Sequence, residues 1–510
     1  MPHIAVEGCC HGDLDKIYAT LEHAIEQKQL KDQQELALKS VESDDDFLNA
    51  LEEYKKPSID LLLVCGDFEC IRHADDLNSM SVPDKYKEWK DFHKYFPQSQ
   101  LRKEGEETKV APMPTLFIGG NHEASLYLMS LPFGGFVTDK IYFMGNCGFV
   151  QFKKKFSNGR MTSMRIGGWS GIYKDNDFWK DSARFLLPKQ EKGLAQEEDT
   201  NLGTTLFDEQ HVPFSENAKR SVYHVRFFEF WKIMNMKLCL KAKEESQPLD
   251  IFLSHDWPTG VTRHGDLTNI RRFKDHVMKE IEESDHKLGN PWGEKLLTEL
   301  EPKFWFAAHM HCKFSSVVTH TETVSQSSTL KKNTKFLALD KCLPKRDFLQ
   351  MVDMDHYIEY ANHDELLENE KEGEYYFDLD WLAITKLFHA YRYEISKLLK
   401  QPNIQKIQRN ADQLDKNFNY SQIVEHVNST PLPFIKSRMY PLFTLEEIEK
   451  EKNWILERSK TYDDGKFANL RIPIPTSYSL GALNGNVNER LPLQMNPQTV
   501  ELLDFLGLNE

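Results

Sequence analysis

The stretch that decides the fold is IAVEGCCHGDLDKIY, residues 4–18. Its apolar start at residues 4–6 predicts a buried strand, and Asp13 is suited to cap a following helix. The apolar residues of that helix recur at helical spacing: Leu14, Ile17, Tyr18, Leu21 and Ile25. The two cysteines and the histidine at 9–11 therefore lie on a loop at a strand end, where α/β folds often place metal ligands. Two small buried side chains followed by a surface histidine would explain the same letters equally well.

The composition predicts a large folded protein with more than one domain. The chain has 510 residues, of which 40% are hydrophobic and 12% aromatic, so it can bury a large core. It contains no apolar run of the roughly 18 residues that a membrane span requires. Its start also lacks the basic and apolar regions of a secretory signal, so we expect no membrane partner and no export.

The cysteines and the net charge indicate the redox compartment of the protein and the kinds of partner that it can bind. The 8 cysteines are scattered, which favours free thiols or metal ligands in a reducing compartment over a disulfide framework. The formal net charge of -15 argues against nonspecific nucleic-acid binding over the whole surface. A local basic site for RNA remains compatible with that charge.

The chain divides into two parts by its pattern. From residue 1 to 353, strand candidates alternate with helical stretches, and several are apolar throughout, as in sheets covered on both faces. These candidates lie at 59–65, 115–118, 141–144, 149–152, 164–166, 249–253, 304–308, 315–318 and 335–339. The segment 354–510 is strand-poor and predicts a smaller, mainly helical C-terminal domain. Three polar stretches are interpreted as surface insertions: 27–56, 188–217 and 319–333.

Polar side chains of ligand type directly follow several apolar strands. In chain order they form the patterns C-x-H, G-D, G-N-H-E, H and H-x-H. The residues concerned are Cys9, His11, Asp67, Asn121, His122, His255, His309 and His311. A single histidine at a strand end is usually an ordinary surface or core residue. The repeated arrangement has no evident structural reason and indicates a metal site.

This order resembles that of the calcineurin-like metallophosphoesterases, whose pattern is D-x-H, G-D, G-N-H-[DE], H and G-H-x-H. Cys9 stands where that family has its first aspartate, and Ala308 replaces the glycine before the last pair. A cysteine at the first position resembles one branch, the RNA lariat debranching enzymes. The stretches that carry this likeness are CGDFE, FIGGNHEAS, RIGGWSGIY, YHVR, FLSHDWP, AAHMHCKF and TKFLALDKCLP, with LDWLAI and NPQT less specific. The resemblance implies an α/β (α+β) fold: a catalytic β-sandwich flanked by helices over 1–353, followed by the C-terminal domain 354–510.

The resemblance also implies two divalent metals and assigns ligands to both. One metal takes Cys9, His11, Asp67 and His311, and the other takes Asp67, Asn121, His255 and His309. Asp67 is the natural bridge, since a carboxylate has two oxygens to share. Fe²⁺, Zn²⁺ and Mn²⁺ are the candidate metals, and the soft sulfur of Cys9 favours the first two at its own site. Cys10 is expected to pack in the core.

His122 follows a ligand but belongs to neither ligand set. We interpret it as the general acid for the leaving oxygen, with Glu123 orienting it. Positioning of the substrate phosphate is its alternative role.

The substrate that the resemblance implies is the 2′–5′ phosphodiester at the branch adenosine of an excised intron lariat. A lariat recognition loop would span about 170–226, although the stretch 188–217 departs from the family there. The residues expected to contact RNA in it are Ser170, Tyr173, Lys174, Tyr223, His224 and Arg226. The basic strip 153–165 is a further candidate, and a solvated strand face explains it as well.

Two other functions fit the same fold. A phosphoesterase acting on phosphoproteins or another phosphodiester would use the same metals, and a non-catalytic scaffold would bind partner proteins. The recognition-loop motifs and Cys9 favour the debranching nuclease over the former, and the full set of ligand residues argues against the latter. Because lariats are made in the nucleus, we expect the protein there, with the cytoplasm as a second location. Nothing in the sequence identifies a protein partner.

Overall fold

The computed structural model describes residues 3–39, 58–99, 101–102, 105–156, 160–180, 209, 211–242, 246–325, 328–354, 360–362, 372–390, 443–475, 491–492 and 494–508. Within these residues, two mixed β-sheets share a core and carry helices around them. This architecture confirms the predicted sandwich.

The strands alternate with helices in the first part of the chain. In chain order they are β1 (His3–Glu7), β2 (Leu61–Val64), β3 (Thr115–Phe117), β4 (Gly135–Thr138), β5 (Ile141–Phe143), β6 (Cys147–Lys155), β7 (Arg160–Trp169), β8 (His211–Val212), β9 (Ile251–Ser254), β10 (Phe304–Ala307), β11 (Phe314–Ser325), β12 (Ser328–Ala338), β13 (Leu349–Asp353), β14 (Tyr360–Asn362), β15 (Glu374–Phe377) and β16 (Leu491–Pro492). The 6-stranded sheet has the order β13-β1-β2-β3-β5-β4. The 8-stranded sheet has the order β11-β12-β10-β9-β7-β6-β15, with β14 paired to β7.

The helices differ widely in length. In chain order they are α1 (Leu14–Lys39), α2 (Ala74–Ser79), α3 (Phe92–Tyr95), α4 (Ser125–Leu128), α5 (Asp175–Phe178), α6 (Glu216–Lys219), α7 (Phe227–Met234), α8 (Met236–Leu240), α9 (Thr268–Phe273), α10 (Asp275–Glu283), α11 (Pro291–Leu300), α12 (Leu379–Ala390), α13 (Leu445–Thr461) and α14 (Pro497–Phe505). Short 3₁₀ turns lie at Asp84–Tyr86, Val261–His264, Tyr462–Gly465 and Ala468–Leu470. Among the residues that the structure describes, none of the helices combines the length and the apolar character needed to cross a bilayer.

Burial on both faces explains the apolar strands. In β9, Ile251 and Leu253 point into the core shared by the two sheets, whereas Phe252 joins the core on the opposite face. In β10, Phe306 likewise points into the shared core, and Trp305 joins the core on the opposite face. A strand covered on both sides must be apolar at every position, which is the pattern that the sequence displayed.

The described residues of two predicted insertions form regular structure. Helix α1 continues to Lys39, so the first part of the stretch 27–56 is helical. The stretch 319–333 lies on a long antiparallel hairpin of β11 and β12, and its character as an insertion stays a prediction. Polar residues suit such a hairpin where one of its faces meets water. Most of 188–217 lies outside the described residues, apart from Glu209 and the segment from β8 onward.

The C-terminal segment completes the sheet of the first part. Strand β15 pairs with β6, and β14 pairs with β7. Trp381 and Phe388 of α12 share a core with Phe149 of β6. The described residues of 354–510 are mainly helical, as predicted. They share one sheet and one core with the first part of the chain, and the boundary at 353 stays a prediction.

Candidate metal centre

Neighbouring strand ends bring the predicted ligands together. Strands β1, β2 and β3 run parallel in one sheet, and β9 and β10 run parallel in the other. Loops that follow the carboxyl ends of parallel strands emerge at one edge of a sheet. These loops carry Cys9, His11, Asp67, Asn121, His255, His309 and His311. Both sheets therefore contribute to a single site.

Four of these side chains form a compact cluster. Ligand atoms of Cys9, His11, Asp67 and His311 all lie within 4.8 Å of one another. The Nε2 atoms of His11 and His311 are 3.3 Å apart, and His11 Nε2 lies 3.6 Å from Asp67 Oδ2. Two imidazoles that converge beside a thiol and a carboxylate are a donor set suited to a divalent metal. These four residues are the ones that the sequence assigned to one metal.

The other oxygen of Asp67 faces a second group of donors. Asp67 Oδ1 lies 3.4 Å from His255 Nε2, which lies 3.2 Å from Asn121 Oδ1. His255 Nδ1 donates to the Cys65 carbonyl at 2.7 Å, so the neutral ring keeps its Nε2 lone pair for the site. The ring centroids of His309 and His255 are 5.1 Å apart. Asp67 stands between the two donor groups, as a bridging carboxylate must.

The loops hold the ligands in an uncommon backbone conformation. His11, Asp67, His309 and His311 have φ values between 46° and 63°, a region that residues with a side chain rarely adopt. Such conformations persist where the surrounding structure enforces them, and they cluster at functional sites. A β-carbon on Gly120 would lie 2.2 Å from Asp67 Oδ1, so only glycine permits this close approach.

The electrostatics of the cluster suit a cation. Burial raises the pKa of Asp67, but three surrounding imidazoles outweigh it and hold that pKa well below its usual range. Burial lowers the pKa of His311 to about 3, so its ring is neutral and keeps a lone pair. Burial, followed by the charge of Asp67, raises the pKa of the Cys9 thiol well above its usual value. A bound cation reverses that shift, because a coordinating thiol is deprotonated.

Glu69 is part of the site and was missed by the sequence analysis. Its carboxylate lies 3.3 Å from His11 Nδ1, and it forms with His11 and His122 a second group whose ligand atoms lie within 4.8 Å. A carboxylate on the far nitrogen of a histidine ligand fixes its tautomer and turns the other nitrogen to the metal. The available signal was the acid two positions after Asp67 in CGDFE. Nothing in that spacing indicates that it faces His11.

His122 lies on the open side of the site. Its backbone N–H donates to Asp67 Oδ1 at 2.8 Å, and its ring Nδ1 lies 3.8 Å from Asp67 Oδ2. The His122 side chain is 35% exposed, whereas that of Asp67 is 1% exposed. A ligand lying over the cluster can therefore meet the His122 ring.

Glu123 has partners other than the His122 ring that the sequence assigned to it. In the described part of the chain, its buried carboxylate accepts hydrogen bonds from the backbone N–H groups of Phe68, Glu69 and Gly120, at 2.8–2.9 Å. Burial is the main cause that raises the pKa of this carboxyl to about 8. The prediction that Glu123 orients the ring of His122 is replaced by a different role: it ties two ligand-bearing loops together.

Two predicted RNA contacts lie inside the protein. Arg226 is fully buried, and its guanidinium donates to Glu209 at 3.0 Å and to the Ser221 carbonyl at 2.9 Å. His224 is 3% exposed, and its Nδ1 lies 2.6 Å from Asp177 Oδ2. The prediction that Arg226 and His224 contact RNA directly is therefore wrong for this structure, because each side chain is buried against a partner within the loop.

The remaining predicted RNA contacts are accessible. Lys174 is exposed, and Ser170, Tyr173 and Tyr223 are half-buried. The Ser170 hydroxyl donates to the Gly145 carbonyl at 2.6 Å, so it also braces the loop. Ser170 and Tyr223 line an open cavity beside the loop that carries His122.

The basic strip 153–165 lies on the hairpin of β6 and β7. Lys154 forms an ion pair with Asp60, and Arg165 donates to Asp378 and Asp380 at 2.8 Å. Both cations are buried. At Lys154 and Arg165 the sequence suggested either an RNA-binding surface or a solvated strand face. Neither interpretation fits these two residues, because both side chains are buried in ion pairs.

Comparison with protein families gives two matches in adjacent regions of the chain. Residues 2–313 match the calcineurin-like phosphoesterase family, and residues 331–510 match the C-terminal domain of the lariat debranching enzyme.

Curated relatives agree with both matches. A lariat debranching enzyme of Arabidopsis thaliana is 38% identical over 76% of this chain and 68% of its own length. That of Drosophila melanogaster is 32% identical over 90% of this chain and 74% of its own. The human protein of that name is 36% identical over 75% of this chain and 53% of its own. The match spans about half the length of the Xenopus laevis, Danio rerio and human relatives.

Proposed function

This chain belongs to the lariat debranching enzymes of the calcineurin-like phosphoesterase family, and we propose that it hydrolyses the 2′–5′ phosphodiester at the branch point of excised intron lariat RNA. The products are a linear intron with a 5′-phosphate, open to turnover, and a free 2′-hydroxyl at the branch adenosine. The observation that carries the proposal is the cluster of Cys9, His11, Asp67 and His311. It joins a thiol to the imidazole and carboxylate donors that phosphoester hydrolysis uses.

The family implies divalent metals, and the donor chemistry of the site fits a pair of them. Cys9, His11 and His311 would hold one, Asn121, His255 and His309 the other, and Asp67 both. The sulfur donor supports Fe²⁺ or Zn²⁺ on the first side, and the oxygen donors of the second side admit Mn²⁺. When bound, such a pair stabilises the charge that develops on the phosphoryl oxygens and makes water nucleophilic near neutral pH.

The protein's own side chains orient the site and supply the proton. Glu69 turns the His11 ring toward the cluster, and the backbone of His122 holds one oxygen of Asp67. The His122 ring faces the open side, where the departing 2′-oxygen needs a proton to leave as a hydroxyl. We assign that proton transfer to His122.

Recognition of the RNA falls to the accessible residues of the recognition loop. The ring of Tyr223 or Tyr173 can stack on an unpaired base, and the ammonium of Lys174 can meet a phosphate. Ser170 borders the cavity beside the His122 loop. Arg226 holds the shape of the loop from inside.

A phosphoesterase acting on a phosphoprotein or on another phosphodiester is the second candidate. Metal ligands alone do not select the ester, so the same cluster is compatible with it. A non-catalytic scaffold is opposed by the intact donor set. Nuclear residence follows from the proposed substrate, and imaging of a fluorescent fusion in the source cells tests it against a cytoplasmic location.

The deciding experiment compares substrates on one protein preparation. The protein is stripped by a chelator, reloaded with Fe²⁺, Zn²⁺ or Mn²⁺, and given a 2′–5′ branched RNA, a linear 3′–5′ RNA, an aryl phosphodiester and a phosphoprotein. We expect cleavage of the branched RNA at the branch and of the aryl diester, with the linear RNA intact. Activity on the phosphoprotein or aryl diester without the branched RNA supports the second candidate. Absence of both bound metal and cleavage supports the scaffold.

A further inference from the structure

The C-terminal motif NPQT takes no part in the proposed chemistry, yet it is bound to the segment that follows His122. Asn496 caps α14 by accepting the N–H of Gln498 at 3.0 Å. The backbone N–H of Asn496 and the hydroxyl of Thr499 both donate to the Ser130 carbonyl at 3.0 Å. Ser130 lies just beyond α4, the short helix that follows His122 in the chain. The motif therefore fixes Ser130, at the end of the segment 122–130 that begins with His122.

Gln498 closes the edge of the 6-stranded sheet at β4. Its Oε1 accepts the N–H of Phe136 at 2.9 Å, and its Nε2 donates to the Phe136 carbonyl at 2.8 Å. One side chain thus supplies the two hydrogen bonds that a neighbouring strand would make. This contact fixes the position of β4 relative to α14.

The same C-terminal segment reaches the recognition loop. Strand β16 pairs antiparallel with β8, which lies in the later part of that loop. After β8, Phe214 and Val222 pack with Val212 against Met129, the residue before Ser130. Positions 129–130 are therefore held by the recognition loop on one side and by the NPQT motif on the other.

This junction borders the cavity beside the His122 loop. Met129, Val222 and Tyr223 line the cavity together with Gly120 and Glu123. A displacement at 129–130 would change the spacing between Tyr223 and the catalytic loop. The metal ligands follow strands β1, β2, β3, β9 and β10, which lie in the interior of the sheets, so we expect these ligands to keep their places.

We propose that residues 491–492 and 494–499 are a specificity-determining positioning segment, which holds the later part of the recognition loop, from β8 to Arg226, against the loop of His122 and so sets the fit for branched RNA. Gln498 and Thr499 are its positioning residues, and they act through Phe136 and Ser130 without touching the substrate. The inference rests on the proposed debranching activity. It predicts that the segment governs the binding of branched RNA and leaves bond cleavage in a small substrate unchanged.

The test uses the full chain carrying Gln498→Ala, Thr499→Val or both. Thr499→Val keeps the shape of the side chain and removes its hydrogen-bond donor, whereas Thr499→Ser keeps the donor. Glu501→Gln is the matched control: it lies on the same helix as Gln498 and Thr499 and removes an ion pair with Lys466 outside that helix. We expect the double variant to raise KM for branched RNA about tenfold, with turnover of an aryl phosphodiester and metal content within about twofold of the parent. Thr499→Ser and Glu501→Gln should resemble the parent.

A second readout follows the loop itself. Trypsin should cut after the exposed Arg220 faster in the double variant than in the parent, because the recognition loop is held less firmly. Equal losses on RNA and on the aryl diester, or an unchanged KM for RNA in the folded variants, would overturn the proposal. Where the double variant does not fold, Thr499→Val against Thr499→Ser decides. If the parent cleaves no branched RNA, the proposed function fails, and an unchanged rate of cutting at Arg220 would then reject the positioning role separately.

Discussion

The Nδ1 atom of His11 lies 3.3 Å from a carboxylate oxygen of Glu69, while its Nε2 lies 3.3 Å from the Nε2 of His311. The two nitrogens of one ring thus have separate tasks. One is held by an acid behind the site, and the other faces the cluster of ligands. An acid in that position acts on a bound metal through its ligand, by fixing the tautomer and the direction of the ring.

Removal of Glu69 should weaken metal binding on the side of Cys9. We expect Glu69→Ala to reduce affinity there roughly 10–100-fold, and Glu69→Gln to lose less, because an amide oxygen can still accept the N–H of His11. A Co²⁺ titration that follows the thiolate-to-cobalt absorption measures this directly. Glu449→Gln, at an exposed ion pair with Lys452, is the control. An unchanged titration and spectrum in Glu69→Ala would contradict the role.

Asp67 and His122 should separate metal binding from proton transfer. Asp67→Ala removes the carboxylate that both donor groups face, so we expect it to lose metal and activity together. His122→Ala should retain both metals and cleave branched RNA roughly 10²–10⁴-fold more slowly, the range for a lost general acid. Metal analysis of the purified variants beside single-turnover cleavage gives the comparison. Loss of metal from His122→Ala as complete as that from Asp67→Ala would show that the roles are wrongly assigned.

The two adjacent cysteines should behave differently although both are fully buried. Cys9→Asp restores the oxygen donor of the wider family, so we expect a shift toward Mn²⁺ and less inactivation by peroxide, which attacks thiolates. Cys10→Ser should change neither property. Activity after chelation and reloading with each metal, with and without peroxide, measures both. A changed metal preference in Cys10→Ser with none in Cys9→Asp would mean that the other cysteine is the ligand.

Arg226→Ala should act on the fold. The substitution removes the positive partner from a buried ion pair with Glu209, a change that costs about 3–5 kcal/mol. We expect a lower free energy of unfolding in urea and, in protein that remains folded, a larger loss on branched RNA than on an aryl diester, because the recognition loop loses its internal support. Arg220→Ala, at an exposed neighbouring position, should show neither effect. Full stability of Arg226→Ala together with an RNA-specific loss would restore the direct contact that the sequence suggested.

Asp177 should give the recognition loop a dependence on pH. Burial raises its pKa, but hydrogen bonds from His224 and Lys180 outweigh it and hold that pKa well below its usual range. A carboxyl with a lower pKa in the folded state stabilises the fold above its unfolded value of about 3.9, and this contribution is lost as the pH falls. We therefore expect the stability difference between wild type and Asp177→Asn to be largest near neutral pH and to shrink below about pH 4. Urea unfolding at a series of pH values measures it, and a constant difference would contradict the assignment.

The sequence by itself determined the strands and the residue types at their ends. A short run that is apolar at every position, such as the one before Asp67, is typical of a strand that is buried on both faces of a sheet. A polar residue that directly follows such a strand comes to the carboxyl end of the sheet, so Cys9 and His255 could be placed at strand ends without coordinates. Their assignment as metal ligands came from the resemblance to the family. Order along the chain then identified the family.

Only the tertiary structure decided what each remaining side chain faces. Arg226 and Glu69 are charged, and their letters alone suggest exposure, but the fold buries both with partners 17 and 58 positions away in the chain. The polar stretch 319–333 forms a hairpin because its backbone pairs strand to strand, whatever its side chains are. The NPQT motif meets Phe136 across 362 positions. Hydrophobic periodicity is local and can be read from neighbouring letters, whereas ion pairs and side-chain hydrogen bonds join distant segments and exist only after the sheets have brought those segments together.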